Sequence, residues 1–430
     1  MSFPQKPENK RTVYFDHAAT TYIDDEVLQE MQPYFSDIYA NPSGLYAIGR
    51  EVNGALEDAR RRVAQILHTL SDTIFFTGGG TESDNMAILG VARKHEKNGK
   101  HIITTKIEHH AVLYPCEYLE KHGFEVTYLI PDEFGFVSAK QVKEALRADT
   151  ILVSVMYANN EIGTVEPLAD IGREILKWRK ENNTKYPYFH TDACQAAGAF
   201  DLDVEKLHVD LMTINASKLY GPKGVGILYK HRNVSIEPII FGGGQERGLR
   251  SGTENVPGIV GFAKALEIAQ ENREVENKRL IELRNYFWER LEKEIPKIRL
   301  NGPRLHPPGY AGQANNNELD RLPNNLNVSI LDIEGEALLL YLDEYGIVCS
   351  TGSACTSESL DPSHVLLACG LPYEYAHGSL RFTLGKRTTN EDVDYTMKYL
   401  PEIVDILRKI SPVNLQLDAK KNTHPQYHQR

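Results

Sequence analysis

The sequence predicts an α/β fold: a large domain built on a mainly parallel sheet flanked by helices, followed by a smaller α+β C-terminal domain. Two observations predict it. Short apolar runs alternate with amphipathic stretches between residues 73 and 229, which is the pattern of right-handed βαβ units. After about residue 262 a long charged helical stretch, 263–294, leads into a second group of strand and helix patterns.

Each element follows from the local pattern. Strands are predicted at residues 73–77, 101–105, 124–128, 150–156, 188–191, 210–214 and 326–331, and helices at residues 81–97, 110–121, 138–147, 167–181 and 335–342. The segment 303–327, rich in Pro, Gly and Asn, predicts a surface loop. We expect four regions: an N-terminal segment that packs with the small domain (1–24), the large domain (25–262), the small domain (263–411) and a polar tail (412–430).

Composition excludes several classes of protein. The 430 residues include 48 basic and 59 acidic side chains, a net charge of −11, so no net positive field is available to hold nucleic acid or an anionic membrane. No apolar run approaches the roughly 18 residues of a membrane span, and the N-terminus lacks the apolar stretch of a signal peptide. We therefore expect a cytoplasmic protein. Five cysteines without CxxC spacing argue against a disulfide framework and a zinc site, so no metal is expected.

A glycine-rich turn between a predicted strand and a predicted helix is the first candidate for ligand binding. Gly78, Gly79 and Gly80 precede Thr81, and free amides at a helix N-terminus suit a phosphate. The alternative interpretation is a flexible turn with a Thr cap. The run is neither a Walker loop nor a GxGxxG dinucleotide motif.

Two further candidates follow predicted strands. Asp192 ends a strand, with Gln195 three residues later, and a carboxylate there can hold a metal, cap a helix or pair with a protonated ring nitrogen. Lys218 lies just beyond the next strand, where a partly desolvated amine can bond covalently to a carbonyl; Lys223 is its rival. A phosphate cradle, a pyridinium partner and a covalent lysine together are what pyridoxal phosphate requires.

The cysteines differ in their surroundings. Cys355 lies in a run of small polar residues, 350–357, which predicts an exposed thiol that is available as a nucleophile. Cys369 has apolar neighbours, which is typical of a buried structural cysteine.

With these features in place, the sequence resembles the cysteine desulfurases of the NifS/IscS type, pyridoxal-phosphate enzymes of the class V aminotransferase family. The resemblance runs from residue 14 to about residue 390 and implies the fold of type I pyridoxal-phosphate transferases. The motifs that carry it are YFDHAATT (14–21), NPS (41–43), GTESDN (80–85), EH (108–109), NNEIG (159–163), DACQ (192–195), KLYGPKG (218–224), GGGQERGLRSGT (242–253), GSACTS (352–357) and LRF (380–382).

The resemblance implies a role for each matching residue. Lys218 corresponds to the covalent lysine, Asp192 to the partner of the pyridine nitrogen and His109 to the imidazole stacked on the ring. Neighbours of the ring's phenolic oxygen and of the substrate are Gln195 and Asn159. The phosphate contacts implied are Gly80, Thr81, Asn215, Ser217 and, from the neighbouring subunit of a homodimer, Thr253.

The remaining implied roles concern the substrate. Arg381, helped by Asn41, corresponds to the clamp on the substrate carboxylate, a task that suits the paired donors of a guanidinium. Cys355 corresponds to the cysteine that receives sulfur. The sequence departs from the family pattern where Ser217 replaces a usual histidine, Asn215 a usual serine and Tyr46 another histidine.

The resemblance therefore implies a desulfurase that converts L-cysteine to L-alanine and leaves a persulfide on Cys355, for delivery to an iron–sulfur scaffold or a tRNA-thiolation protein. Three alternatives stay open on the sequence. One is a pyridoxal-phosphate aminotransferase of the same fold, which would not need a nucleophilic cysteine. The second is a selenocysteine lyase, and the third is an inactive sulfur-relay scaffold, for which the Ser217 departure is the only argument.

Overall fold

The computed structural model describes residues 3–7, 10–305, 319–351, 361–415 and 417. Its strands are β1 (Val13–Tyr14), β2 (Ile74–Thr77), β3 (His101–Thr105), β4 (Glu125–Leu129), β5 (Thr150–Ser154), β6 (Tyr188–Asp192), β7 (Leu211–Asn215), β8 (Gly226–Lys230), β9 (Ile298–Leu300), β10 (Asn325–Ile330), β11 (Ile347–Val348) and β12 (Ser379–Thr383). Its helices are α1 (Asp25–Met31), α2 (Pro33–Ser36), α3 (Ala47–Ile66), α4 (Gly80–His95), α5 (His110–Glu120), α6 (Ala139–Ala145), α7 (Leu168–Glu181), α8 (Val204–Leu207), α9 (Val256–Glu271), α10 (Arg273–Glu294), α11 (Gly335–Glu344), α12 (His364–Ala368), α13 (Tyr373–His377) and α14 (Asn390–Ile410).

A seven-stranded sheet forms the centre of the large part of the chain. Its strand order is β2-β8-β7-β6-β5-β3-β4. The neighbours from β7 to β4 pair in parallel, and only β8 runs against both of its neighbours. The predicted mainly parallel sheet is confirmed, and the crossovers between its strands are the helices that the amphipathic patterns predict.

The sheet is covered on both faces because successive residues of a strand point to opposite sides. Tyr188 and Phe189 of β6 illustrate this: Tyr188 packs in an apolar cluster with α4 and α5, whereas Phe189 packs in a second cluster with α7 and α9. Every residue of β3, β5 and β6 is buried. Strands buried on both faces are characteristic of parallel sheets.

A separate core forms around the three-stranded antiparallel sheet β12-β10-β9. Helices α10, α11 and α14 contribute its apolar side chains. The N-terminal segment joins this core, because β1 pairs in parallel with β11 and Phe15 packs against Phe287 and Phe382. In the described part of the chain, no helix has both the length and the apolar character needed to cross a bilayer.

The stretch 263–294 is helical as predicted, but the chain divides it into α9 and α10 with a break at Asn272. The backbone N–H and the side-chain amide of Asn272 both donate to the carbonyl of Ile268. These bonds end α9, because they satisfy the last carbonyl groups of a helix that would otherwise be unpaired.

The surface-loop prediction for 303–327 is wrong at its C-terminal end, and residues 306–318 lie outside the described part. Arg321 is 3% exposed. Its guanidinium donates to the carbonyls of Asn301, Pro303 and Asn325. A charged side chain is stable in the interior when its donors are paired in this way, so this stretch is drawn inward rather than into solvent.

A buried ion pair fixes the segment between β8 and α9. Arg60 of α3 makes two bonds of 2.8 Å with the carboxylate of Glu246, which also accepts the backbone N–H of Phe76. The two side chains are 4% and 2% exposed. Neither charge has water to stabilise it if the other is lost.

Replacing Glu246 should therefore destabilise the fold strongly. Glu246→Gln removes the buried counter-charge of Arg60 and leaves it only the half-exposed carboxylate of Glu57, so we expect the free energy of unfolding to fall by about 3 kcal/mol in chemical denaturation. The control is Asp58→Asn, which breaks the exposed pair of Asp58 with Arg61 and should change stability by less than about 1 kcal/mol. Equal effects of the two variants would contradict this account.

Candidate active site

The site lies at the carboxyl edge of the central sheet. Strands β2, β6 and β7 run in the same direction, so the residues that follow them meet at one edge. After β2 come Gly78 and Gly79, β6 ends at Asp192, and β7 ends at Asn215. A cleft of about 570 Å³ opens between these segments, lined by the turn that precedes α4 and by Asn215 and Ser217.

The glycine turn presents backbone amides to this cleft. Gly79 is the residue before the first turn of α4 and has a φ of +143°, a conformation that favours glycine. The Thr-cap interpretation is therefore wrong, because Gly80 and Thr81 already lie within the helix. A Cβ added at Gly80 would lie 2.9 Å from the Sγ of Cys194 and 3.3 Å from the Nδ2 of Asn215.

Asp192 lies at the base of the same edge and is 7% exposed. Its Oδ1 accepts the backbone N–H of Cys194 at 2.9 Å, a bond that holds the turn after β6. Burial, followed by the charges of Asp192 and Asp84, raises the pKa of the Cys194 thiol well above its usual value. The thiol is therefore neutral, and the carboxylate of Asp192 is suited to face a cation.

The two rival lysines occupy different places. Lys218 follows β7 in a short 3-10 turn and lines a cavity with Gln195 and His17. Its Nζ donates to the carbonyl of Ala19, and the amide of Gln195 donates to the carbonyl of Ala18.

Lys223 instead lines a separate groove with Arg11 and Arg387. Its Nζ donates to the carbonyl of Thr21 at 2.8 Å. Of the two lysines, only Lys218 directly follows β7 and lines a cavity together with Gln195.

His109 and Asn159 stand on neighbouring segments. His109 precedes α5, and its Nδ1 accepts the N–H of Ala111 at 3.1 Å, so the neutral ring carries its hydrogen on Nε2. Asn159 is fully buried, and its amide is already used. Its Nδ2 donates to the carbonyl of Ile107, and its Oδ1 accepts the N–H groups of Glu161 and Ile162. Asn159 therefore holds the segment before His109 in place.

Arg381 lies on β12, with its side chain almost completely buried. One of its Nη atoms is 2.7 Å from Asp16 and the other donates to the carbonyl of Asn160. Its Nε is buried and has no hydrogen-bond partner among the residues that the structure describes. The backbone of Arg381 pairs with Ser350; Cys355, five residues further, lies outside the described residues.

Two predicted residues are not joined to the cleft. Asn41 is exposed, and its Oδ1 accepts the N–H of Ser43. Thr253 is exposed next to Gly252, whose φ is +113°. Within the described ranges of this single chain, neither side chain forms a hydrogen bond with the residues that line the cleft.

Sequence reasoning missed three buried acids around the site. Burial raises the pKa of Glu108 to about 8 and that of Glu161 to about 7. Asp84 on α4 is also completely buried, and its pKa is raised well above the usual value. All three stand in motifs that carry the resemblance, but nothing in the pattern of apolar residues marks their carboxyls as buried. In the described part of the chain, no group of three or more His, Cys, Asp or Glu side chains is placed to hold a metal.

Comparison with known proteins identifies the family. The aminotransferase class-V profile matches residues 13–396, and the chain belongs to this family. A curated relative from Clostridium botulinum, cysteine desulfurase IscS, is 52% identical over 403 residues, which make up 94% of this chain and 97% of the relative. The IscS of Methanosarcina thermophila is 50% identical, and the alignment covers 94% of this chain and 95% of the relative. Within class V, the chain is thus a member of the IscS cysteine desulfurase group.

Solved structures agree with this. A NifS-like protein superposes with a TM-score of 0.83 at 40% identity and covers 92% of this chain and 100% of its own. The structure of SspA in complex with cysteine superposes with a TM-score of 0.71 at 36% identity, covering 87% and 99% respectively. The predicted fold of type I pyridoxal-phosphate enzymes is confirmed, and enzymes of this family depend on pyridoxal phosphate.

The residues at the cleft fit this cofactor. The amides at the start of α4 suit a phosphate, and Gly80 packs so closely against Cys194 and Asn215 that a Cβ there would displace this first turn. Asp192 offers the buried carboxylate that a protonated ring nitrogen requires.

Substituting Gly80 should weaken cofactor binding. In Gly80→Ala the new methyl group meets the buried Sγ of Cys194 at 2.9 Å, so the first turn of α4 must shift away from the phosphate. We expect the dissociation constant for pyridoxal phosphate, measured by absorbance titration, to rise by about tenfold or more.

The matched control is Gly54→Ala. Gly54 lies on an exposed position of α3 with no atom within 4 Å of the added Cβ, and the change should stabilise the fold by about 0.5–1 kcal/mol without altering cofactor affinity. Unchanged affinity in Gly80→Ala would show that the cradle lies elsewhere.

Proposed function

We propose that this chain is a cysteine desulfurase, which converts L-cysteine to L-alanine and transfers the sulfur to Cys355 as a persulfide. The observation that best supports this is the convergence of Gly80, Asp192 and Lys218 at one edge of the sheet. Relatives named cysteine desulfurase, half identical over nearly the whole chain, support it independently.

Arg381 binds the substrate carboxylate in this proposal. A buried guanidinium donor without a partner is costly, and the Nε of Arg381 is such a donor. A carboxylate that accepts from it gains a charge-assisted bond. Asp16 and the carbonyl of Asn160 hold the other two nitrogens, so the guanidinium is already oriented before substrate arrives.

The proton steps belong to Lys218 and its neighbours. When bound, pyridoxal phosphate supplies a ring that takes up the electrons released as bonds to the substrate Cα and Cβ break. Lys218, as a free amine, removes the proton from Cα. Asp192 is the carboxyl neighbour of the ring nitrogen, and the neutral ring of His109 carries its hydrogen on Nε2 because its Nδ1 accepts the N–H of Ala111.

Sulfur transfer uses the thiolate of Cys355. Its attack on the substrate sulfur forms a sulfur–sulfur bond and breaks the carbon–sulfur bond, whose electron pair passes to carbon. The carbon takes up protons and leaves as L-alanine. We propose that the persulfide is then delivered, in the cytoplasm, to an acceptor protein such as an iron–sulfur scaffold or a tRNA-thiolation protein.

We propose that the protein works as a homodimer. Large apolar side chains stand exposed on the segments near Thr253 and α2, namely Phe35, Tyr39, Leu45 and Phe241. A second copy that covers them would remove their apolar surface from water. It would also bring the exposed Thr253 to the phosphate end of the partner's cleft.

The dimer can be tested by sedimentation equilibrium together with cofactor retention. We expect a single species of twice the chain mass, and Thr253→Val should lose cofactor faster than the parent while staying dimeric. The control Thr69→Val alters a threonine that follows α3, whose hydroxyl bonds that of Thr73, and should leave cofactor retention unchanged. A monomer with full activity would refute the proposal.

Cys355 should be required for sulfur transfer but not for substrate binding. In Cys355→Ser an alcohol replaces the nucleophile, so we expect the cofactor's visible spectrum still to respond to L-cysteine while release of sulfide and alanine falls by about a hundredfold or more. Sulfide and alanine are measured together in the presence of a reductant.

Cys349→Ser is the matched control. Cys349 is buried next to β11, and burial raises its pKa far above the usual value, so its thiol is a poor nucleophile and the variant should keep its turnover. Turnover near the parent rate in Cys355→Ser, or its loss in Cys349→Ser alone, would mean that the transfer thiol is misassigned.

A further inference from the structure

The most unusual group that this mechanism does not use is the carboxyl of Asp84. It lies on α4, one turn beyond the amides of Gly80 and Thr81, and is 1% exposed. Its Oδ1 has no hydrogen-bond partner. A buried polar atom without a partner on the helix that carries the phosphate cradle calls for a physical explanation.

The geometry around Asp84 connects the two ends of the cofactor site. His190 and Asp192 are two residues apart on β6, so their side chains point to the same face of the sheet. Thr213 of β7 is in register with Asp192, and α4 covers this face. The Oδ1 of Asp84 is 3.6 Å from the Nε2 of His190, and the Oγ1 of Thr213 lies 3.2 Å from the same Nε2.

We infer that Asp84 is a positioning residue for pyridoxal phosphate: as a neutral carboxylic acid it ties the helix that carries the phosphate cradle to the strands that carry Asp192 and Thr213. The inference deepens the proposed function, since it takes the cleft as the cofactor site. It does not depend on which substrate the enzyme uses.

Charge explains why the acid is neutral. Burial raises the pKa of Asp84, and the nearby carboxyls of Asp192 and Glu108 raise it further. His190 brings no positive charge, because burial lowers its pKa to about 3. The thiol of Cys194, beside Asp192, is neutral as well. One proton is thus retained on Asp84.

A neutral acid can also bond where a carboxylate cannot. Its hydroxyl donates and its carbonyl oxygen accepts, whereas the Nε2 of His190 already lies 3.2 Å from the Oγ1 of Thr213 and its Nδ1 lies 2.9 Å from the Oγ of Ser154. Asp84 joins this chain of neutral groups from the helix side. Any shift of the contact changes the spacing between the phosphate amides and Asp192.

The test compares a variant that places a neutral amide at position 84 with one that removes the polar group of the side chain. Asp84→Asn keeps the size, polarity and neutral charge, so we expect its dissociation constant for pyridoxal phosphate to stay within about threefold of the parent's. Asp84→Ala removes the contact, and we expect cofactor binding to weaken by at least about tenfold. Equal weakening in both variants would show that a negative charge is needed, and parent-like binding in Asp84→Ala would show that the contact does nothing; either result overturns the inference.

The matched control is Glu166, another completely buried acid with a raised pKa. Its carboxyl accepts the N–H of Val137, away from the cleft. Glu166→Ala should lower the melting temperature but leave cofactor affinity unchanged. Weakened cofactor binding in this variant would mean that any buried cavity disturbs the site, and the role assigned to Asp84 would fail.

A second readout needs neither activity nor a folded deletion variant. The chain without cofactor, labelled with ¹³C at its aspartate carboxyl carbons, should show a neutral carboxyl resonance at pH 7 that is absent from Asp84→Asn and present in Glu166→Gln. If the parent shows no such resonance, Asp84 is ionised and the inference is wrong. Cofactor affinity and this spectrum are both measured without L-cysteine, so failure of the desulfurase proposal would leave them unaffected.

Discussion

The direction of three strands is the constraint on which the active site depends. Because β2, β6 and β7 run the same way, the glycine turn, Asp192 and the turn with Lys218 all emerge at one edge of the sheet. A phosphate cradle, a carboxylate and an amine that stand far apart in sequence thus lie at the same edge of the sheet. No single loop has to carry the whole site, and each contact is anchored on a buried strand or on the first turn of a helix.

The low dielectric constant of the protein interior strengthens the electrostatic interactions of the few charged groups around the cleft. The carboxyls of Asp84, Glu108 and Glu161 are buried around the cleft and hold their protons at higher pH than usual. The carboxyl of Asp192 therefore lies near buried acids, Asp84 and Glu108, that hold their protons to higher pH than exposed ones do. The guanidinium of Arg381, buried on the smaller sheet, is the complementary charge for a substrate carboxylate.

The sequence alone predicts the parts of the site that depend on local order. The strand-turn-helix pattern around Gly80 and the position of Lys218 after a strand are local, and the structure shows both elements where the pattern predicts them. Arg321 and Asn272 could not be predicted, because the first is drawn inward by three carbonyl groups and the second ends a helix through a side-chain bond. Asp84 belongs with them, since its burial arises only when α4 packs onto β6 and β7. Whether Lys218 rather than Lys223 bears the cofactor also rests on three-dimensional placement.

The most direct test of the account is therefore to find the lysine that bonds to pyridoxal phosphate. Borohydride reduction of the holoenzyme converts that bond into a stable amine, and peptide mapping by mass spectrometry then locates it. The account predicts pyridoxyl on Lys218 in the parent and in Lys223→Arg, and none in Lys218→Arg. Pyridoxyl on Lys223, or an undiminished yield in Lys218→Arg, would contradict the placement of the site at the edge where β7 ends.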